Sequence, residues 1–303
     1  MEVRIILSQV VVLFIIMIFG FIARKRDIIT RDMTEKLSDI ILLLTQPLLI
    51  ITSFNFDLSK EMLRNAGLVF LLSLGIHLIS IVFSLFLFPG YPHRIKSVLQ
   101  YVTVFSNCGF MGFPVLQSIF GSVGIFYGSI YIIPFNILTL SYGIMVFSGK
   151  SDKEAIKKIL IHPVIISVAV GMILFLTQIK LPAPLYNAAS MVGSMTSPLS
   201  MLIVGALLAN TPIREMFGGF PVYYGSFVRL IALPALVFVG LRFLPLPKEI
   251  LNMAVILTAM PAAVNTVIFA EKYGGDAELA SRFVGISTLL SVLTIPLFML
   301  ILQ

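Results

Sequence analysis

Two short stretches carry the residue types that could hold a ligand in a chain that is otherwise strongly apolar. The first is Ser106-Asn107-Cys108-Gly109-Phe110-Met111-Gly112-Phe113-Pro114, and the second is Met260-Pro261-Ala262-Ala263-Val264-Asn265-Thr266. Pro114 and Pro261 lack an N–H and suit the first turn of a helix that restarts after a break. Gly109 and Gly112 can line an unwound segment, while Asn107, Asn265 and Thr266 supply neutral donors and acceptors. Broken backbone at membrane depth is tolerated only inside protein or beside a water-filled cavity. Two half-helix N-termini meeting there would expose free N–H groups and positive dipole ends. Each favours an anion by about 0.3–1 kcal/mol when exposed and up to about 2 when partly buried. The chemistry is recognition of a carboxylate without a full positive charge. The plainer alternative, Gly and Pro bending membrane helices for packing, has to account for both breaks together.

Other polar residues are secondary candidates. Gln46 and Ser197 lie in a matched pair, Thr45-Gln46-Pro47 and Thr196-Ser197-Pro198. They either flank a binding cavity or re-satisfy carbonyls freed by the kinking prolines. Asn136, close after Pro134, is of the same kind. His77 and Arg229 are ionisable groups within apolar stretches, a functional hypothesis by default. Arg229 lies only about seven residues from the cytoplasmic side, so the expectation is an arginine that snorkels to the interface. His77 reads as a neutral, hydrogen-bonded packing residue. No Asp or Glu sits near the centre of an apolar stretch; Asp39 and Glu271 lie towards ends. That argues against an evident carboxylate site for sodium or a proton, although carbonyls and asparagine can still bind sodium. The lone Cys108 excludes a disulfide framework or a cysteine metal cluster. No metal or cofactor is expected. His-Glu-x-x-His, paired aspartates, a nucleophile elbow and a nucleotide-binding loop are all absent from the sequence, which points away from an enzyme and from a nucleotide-driven pump.

These residues need a membrane scaffold to position them. Of 303 residues, 58% are hydrophobic and 12% charged, with mean hydropathy +1.05; a soluble domain carries about twice that charge. At about 20 residues per crossing, ten spans fit, at 5–23, 37–54, 66–88, 97–120, 123–147, 163–176, 185–208, 222–243, 250–270 and 279–302. The first is long enough to span, lacks a small-residue cleavage site and reads as a retained helix rather than a signal peptide. Of the 21 Lys and Arg, one orientation leaves only Arg4, Lys60, Arg64, Lys180, Arg242 and Lys248 outside, with Arg229 within a span. Both termini are therefore expected outside the cell (inner) membrane. The net charge of +7 then reflects cytoplasmic loops and not nucleic-acid binding.

An internal repeat organises the spans. Thr45 matches Thr196 at an offset of 151, His77 matches Arg229 at 152, and the Phe120-Gly121 closure matches Tyr273-Gly274 at 153. Each half has an odd number of spans, so the second is inverted relative to the first. The expected fold is all-α: a first five-helix repeat over 1–149, a cytoplasmic linker over 150–162 and a second, inverted repeat over 163–303. Spans four and nine carry the breaks and cross at prolines.

The Asn107-Cys108-Gly109-Phe110-Met111-Gly112-Phe113-Pro114 segment, Gln46-Pro47 and Met260-Pro261 to Asn265 resemble the auxin efflux carrier family of permeases. The likeness covers essentially the whole chain. It implies ten helices in two inverted repeats, similar to the bile-acid symporter and sodium/proton antiporter folds, divided into a scaffold and a mobile transport unit. It also implies an organic-anion substrate, such as auxin in plants or a dicarboxylate in bacteria, and a carboxylate contact that maps onto Asn107. The long central cytoplasmic loop of many plant members is absent here.

The resulting expectation is a secondary carrier that moves a small organic anion across the bilayer by elevator-type alternating access. A homodimer is one open assembly. The alternatives are a sodium-coupled symporter of the bile-acid type and a membrane sensor that binds without transporting.

Overall fold

In the computed structural model, residues 2–149, 157, 160–210 and 218–302 are described. Most of the expected 150–162 linker and residues 211–217 lie outside them. Apolar runs without competing polar groups must satisfy their backbone internally, and the described chain does so as helix. Its only β pairing among the described residues is an isolated bridge between Ser106 and Ala262. Among the described residues, six helical stretches are long and apolar enough to cross a membrane: Arg31–Ser53, Lys60–Leu87, Cys108–Ser148, Ala183–Ala209, Phe220–Arg242 and Ala277–Ile301. The chain is a multi-pass membrane protein.

The longest of these is folded on itself. Gly121 has φ 59° and ψ −142°, a conformation side chains resist, and it splits the run near where the sequence separates its fourth and fifth spans. The remaining break points are the two polar stretches. The helix His93–Val104 (α5) ends before Phe105-Ser106-Asn107, and the chain restarts as a π-turn, Cys108–Gly112, leading into Phe113–Leu138 (α6). Late in the chain, Lys248–Ala259 (α13) ends at Met260 and Asn265–Tyr273 (α14) follows.

Two compact units divide the chain. The first comprises 1–70, 109–133 and 157–210. Its central packing joins Glu2–Lys25 (α1) to Thr196–Asn210 (α10). Gly20 and Gly205 make this possible. A Cβ at Gly20 would run into the backbone of Leu202, and one at Gly205 into the backbone of Met17 and Phe21. Small residues let membrane helices approach this closely. Gln46–Ser53 (α3) packs in the same unit against Pro163–Thr177 (α8) and Ala183–Ser194 (α9). The Thr196 hydroxyl donates to Thr45 Oγ1 at 3.0 Å, linking the two positions of the sequence match. Substituting both threonines by valine should expose a coupling of about 0.6 kcal/mol in a double-mutant cycle of unfolding, typical of interhelical hydrogen bonds in membranes. Strict additivity of the two single substitutions would remove this link.

The second unit comprises 71–108, 134–156 and 211–303. Within it, Ala277–Ile301 (α15) packs against Phe220–Phe227 (α11), α13 and α14. Gly225 gives room to the Phe283 ring, since a Cβ there would lie 3.1 Å from Cζ. Prolines impose a shared local feature on both units. Proline cannot close an i→i−4 bond, and its ring crowds the preceding turn. Ile41–Thr45 ahead of Pro47 and Val228–Ala232 ahead of Pro234 are therefore π-turns, closed by Gln46 N–H to Ile41 and Leu233 N–H to Val228.

Candidate functional site: the crossing of two broken helices

In the second unit the two extended breaks pair antiparallel. Asn107 N–H donates to the Pro261 carbonyl at 2.7 Å, and Ala263 N–H donates to the Phe105 carbonyl at 3.2 Å. Ala262 N–H donates to Ser287 Oγ at 3.2 Å. Five backbone groups at the two breaks are thus satisfied by the other break or by one serine. Pro261 suits its place because it has no N–H to leave unpaired.

This crossing differs in detail from the sequence expectation. Only three residues, Phe105 to Asn107, are unwound in the first break, and Gly109 and Gly112 already belong to the π-turn. Pro114 lies beyond that turn, inside the restarted helix, so the crossing contains Pro261 but not Pro114. Pro261 itself is extended, and α14 begins only at Asn265. The reason is the antiparallel pairing: three residues per strand complete it, after which each helix can resume.

The polar side chains sort into two groups, one in each unit. In the second unit Asn107 is 3% exposed, and its Nδ2 has no hydrogen-bond partner. Asn136 Nδ2 and Thr139 Oγ1, a turn apart, and Thr288 Oγ1 are likewise buried and unpartnered. Phe135, adjacent to Asn136, sets its ring 5.7 Å from Phe105, two residues before Asn107. Buried polar groups are normally satisfied, which makes these atoms candidates for contact with a ligand. Asn265 opens α14, whereas the Thr266 hydroxyl donates to the Ala263 carbonyl. In the first unit Gln46 Nε2 lies 3.8 Å from where a Cβ on Gly109 would sit. Ser197 Oγ donates to Gln117 Oε1, a residue the sequence reading passed over.

His77 behaves as expected of a packing histidine. It is 2% exposed, its Nδ1 lies 2.6 Å from the Ser73 carbonyl, and its ring packs with Phe105 and Phe135. Arg229 does not behave as expected. It is 1% exposed and does not snorkel. Its guanidinium donates to the carbonyls of Thr103 at 2.8 Å, Met260 at 3.2 Å and Thr258. These carbonyls belong to the C-terminal ends of α5 and α13, the last turns before the two breaks. Distance along the chain from the interface was a poor guide, because the π-turn carrying Arg229 is set by Pro234 and by its neighbours. The missed signal was available: no Asp or Glu occurs between Glu215 and Glu249, so a buried arginine there had to find carbonyls.

Paired broken helices in a strongly apolar chain fit a membrane transport protein, and the class is shown by similarity to known proteins. The chain belongs to the family described as membrane transport protein, the auxin efflux carrier family, which it matches over residues 5–158 and 150–299. An uncharacterized transporter of Methanocaldococcus jannaschii is 23% identical over 96% of this chain and 97% of its own length. A putative malonate transporter of Rhizobium meliloti is 28% identical over 48% of each chain. A probable auxin efflux carrier component of Oryza sativa is 32% identical over 34% of this chain and 28% of its own. The protein is a membrane transporter of this family and not an enzyme.

Proposed function

We propose that the protein is a secondary carrier for a small organic anion, bound through one carboxylate at the crossing in the second unit. The observation that carries this is the buried, unpartnered side-chain Nδ2 of Asn107, just before the first broken helix restarts. A carboxylate accepts from such a donor and from the free N–H groups that open a helix. α14, beginning at Asn265 in the same unit, presents about half a positive charge at its N-terminus, which favours a carboxylate. Asn136, Asn265 and Pro261 complete this candidate site, and Thr266 can only accept there while its hydroxyl proton stays on Ala263. Gln46, Gly109, Gly112, Pro114 and Ser197, in the first unit, are proposed as a second polar set that the substrate meets during transport.

The relatives named for malonate and auxin support a carboxylate as the substrate class. The repeat matches support ten spans in two inverted halves, 1–149 and 163–303 joined by 150–162, and the Lys and Arg distribution supports both termini outside the inner membrane. Elevator-type alternating access is the mechanism this architecture suits.

Thermal-shift screening of the purified protein against mono- and dicarboxylates, malonate first, followed by counterflow in proteoliposomes, tests the proposal. A carboxylate that both stabilises the protein and exchanges in sodium-free buffer is the expected result. Exchange that demands sodium would favour a sodium-coupled symporter, and binding without exchange a sensor.

A further inference from the structure

We propose that Arg229 is a positioning residue: a tethered cation that neutralises the C-terminal ends of both broken helices and so holds the crossing, with Asn107, in its binding geometry. The C-terminal ends of two half-helices meet at this crossing. The C-terminal pair, the last turns of α5 and α13, concentrates negative dipole ends and carbonyls without intrahelical partners in a buried interior.

Each C-terminal end is equivalent to about half a negative charge, so the pair matches one guanidinium. The three carbonyls that Arg229 reaches are divided between the two helices, Thr103 on α5 and Thr258 with Met260 at the end of α13. One planar fork therefore ties both breaks together, a task suited to arginine's fixed array of donors. The Arg229 donation to Met260 falls on the residue just before Pro261, whose carbonyl in turn accepts from Asn107 N–H. The contact chain from guanidinium to Asn107 is thus continuous. Sequence supplies no rival partner at this depth. No Asp or Glu occurs between Glu61 and Asp152, between Glu215 and Glu249, or between Glu249 and Glu271. The π-turn Val228–Ala232, forced by Pro234, carries the side chain, and such turns recur at functional positions.

Cys108 offers a local reporter. It is the chain's sole cysteine, follows Asn107 directly and is 1% exposed. The test is the rate at which N-ethylmaleimide labels Cys108 in intact membranes and in purified protein, with Cys108→Ala as the blank. Temperatures are kept well below the unfolding transition of each variant. In Arg229→Met, which removes charge and donors at similar length, labelling should quicken by about tenfold or more as the crossing opens locally. Arg229→Lys, which restores the charge, should return the rate to within about threefold of wild type. If Arg229→Met does not accumulate as folded protein, Arg229→Gln takes its place. A wild-type labelling rate in the uncharged variant overturns the proposal, as does a lysine variant no better protected than the uncharged one. No substrate enters the measurement, so its outcome is independent of whether the carrier reading holds.

Discussion

Asn107→Ala is expected to weaken carboxylate binding by about 10- to 100-fold while leaving a folded, extractable protein. The size follows from a hydrogen bond to a charged partner, worth about 1.5–3 kcal/mol. The sparing of the fold follows from how Asn107 is built into the crossing. Its contribution to structure is made by the backbone, through the 2.7 Å bond from its N–H to Pro261, and alanine keeps that donor. Its side-chain nitrogen has no partner to lose. Removing an unpartnered buried donor should even leave the ligand-free protein equally stable or slightly more so. The measurement is a pair of melts, with and without the best-binding carboxylate, alongside counterflow. Unchanged affinity would sink the assigned role. A collapse of the ligand-free melting temperature would instead make Asn107 a structural residue.

Gly205→Leu is expected to prevent the first unit from forming. The backbone of α1 passes so near Gly205 that a Cβ would coincide with the Met17 carbonyl, and Gly20 meets Leu202 in the reciprocal way. Neither obstacle is the end of a flexible side chain. The helices would have to separate along their whole contact, exchanging close packing for gaps, and packing is the main attraction between helices in lipid. Overpacking in cores ordinarily costs about 1–3 kcal/mol, and backbone clashes fall at or beyond the upper end. Gly205→Ala should therefore already lower the melting temperature measurably, and Gly205→Leu should yield no monodisperse protein after extraction. With no tryptophan in the chain, far-UV circular dichroism or size-exclusion recovery after heating provides the readout. A Gly205→Leu protein that melts like wild type would mean that α1 and α10 do not pack this closely.

The two predictions probe different layers of the same sequence, and those layers were unequally legible. Asn107, Pro261 and Asn265 stood out because polar and helix-breaking residues are conspicuous against apolar runs. Short-range chemistry of that kind is written in composition. Gly20 and Gly205 did not stand out, since glycines are common in membrane helices and the chain alone does not say which one meets a backbone. Pro114 shows the same limit in reverse. Its type suggested a helix start, yet the start lies at Cys108, because the antiparallel pairing with 260–263 ends there.

Sequence by itself determined that this is a multi-pass membrane protein, that two of its apolar stretches are interrupted, and that no acidic group lies deep within a span. Hydropathy, proline and the placement of Asp and Glu are local properties, and lipid enforces their consequences everywhere along the chain. Only the tertiary structure decided what the interruptions do to one another: the bridge from Ser106 to Ala262, the exclusion of Pro114 from the crossing, and the capture of both helix ends by Arg229. Those are contacts between residues far apart in the chain. For Arg229, depth in the sequence suggested an exit to the interface. In the fold, unsatisfied carbonyls from two broken helices converge on it, and a buried guanidinium is held where such carbonyls are found.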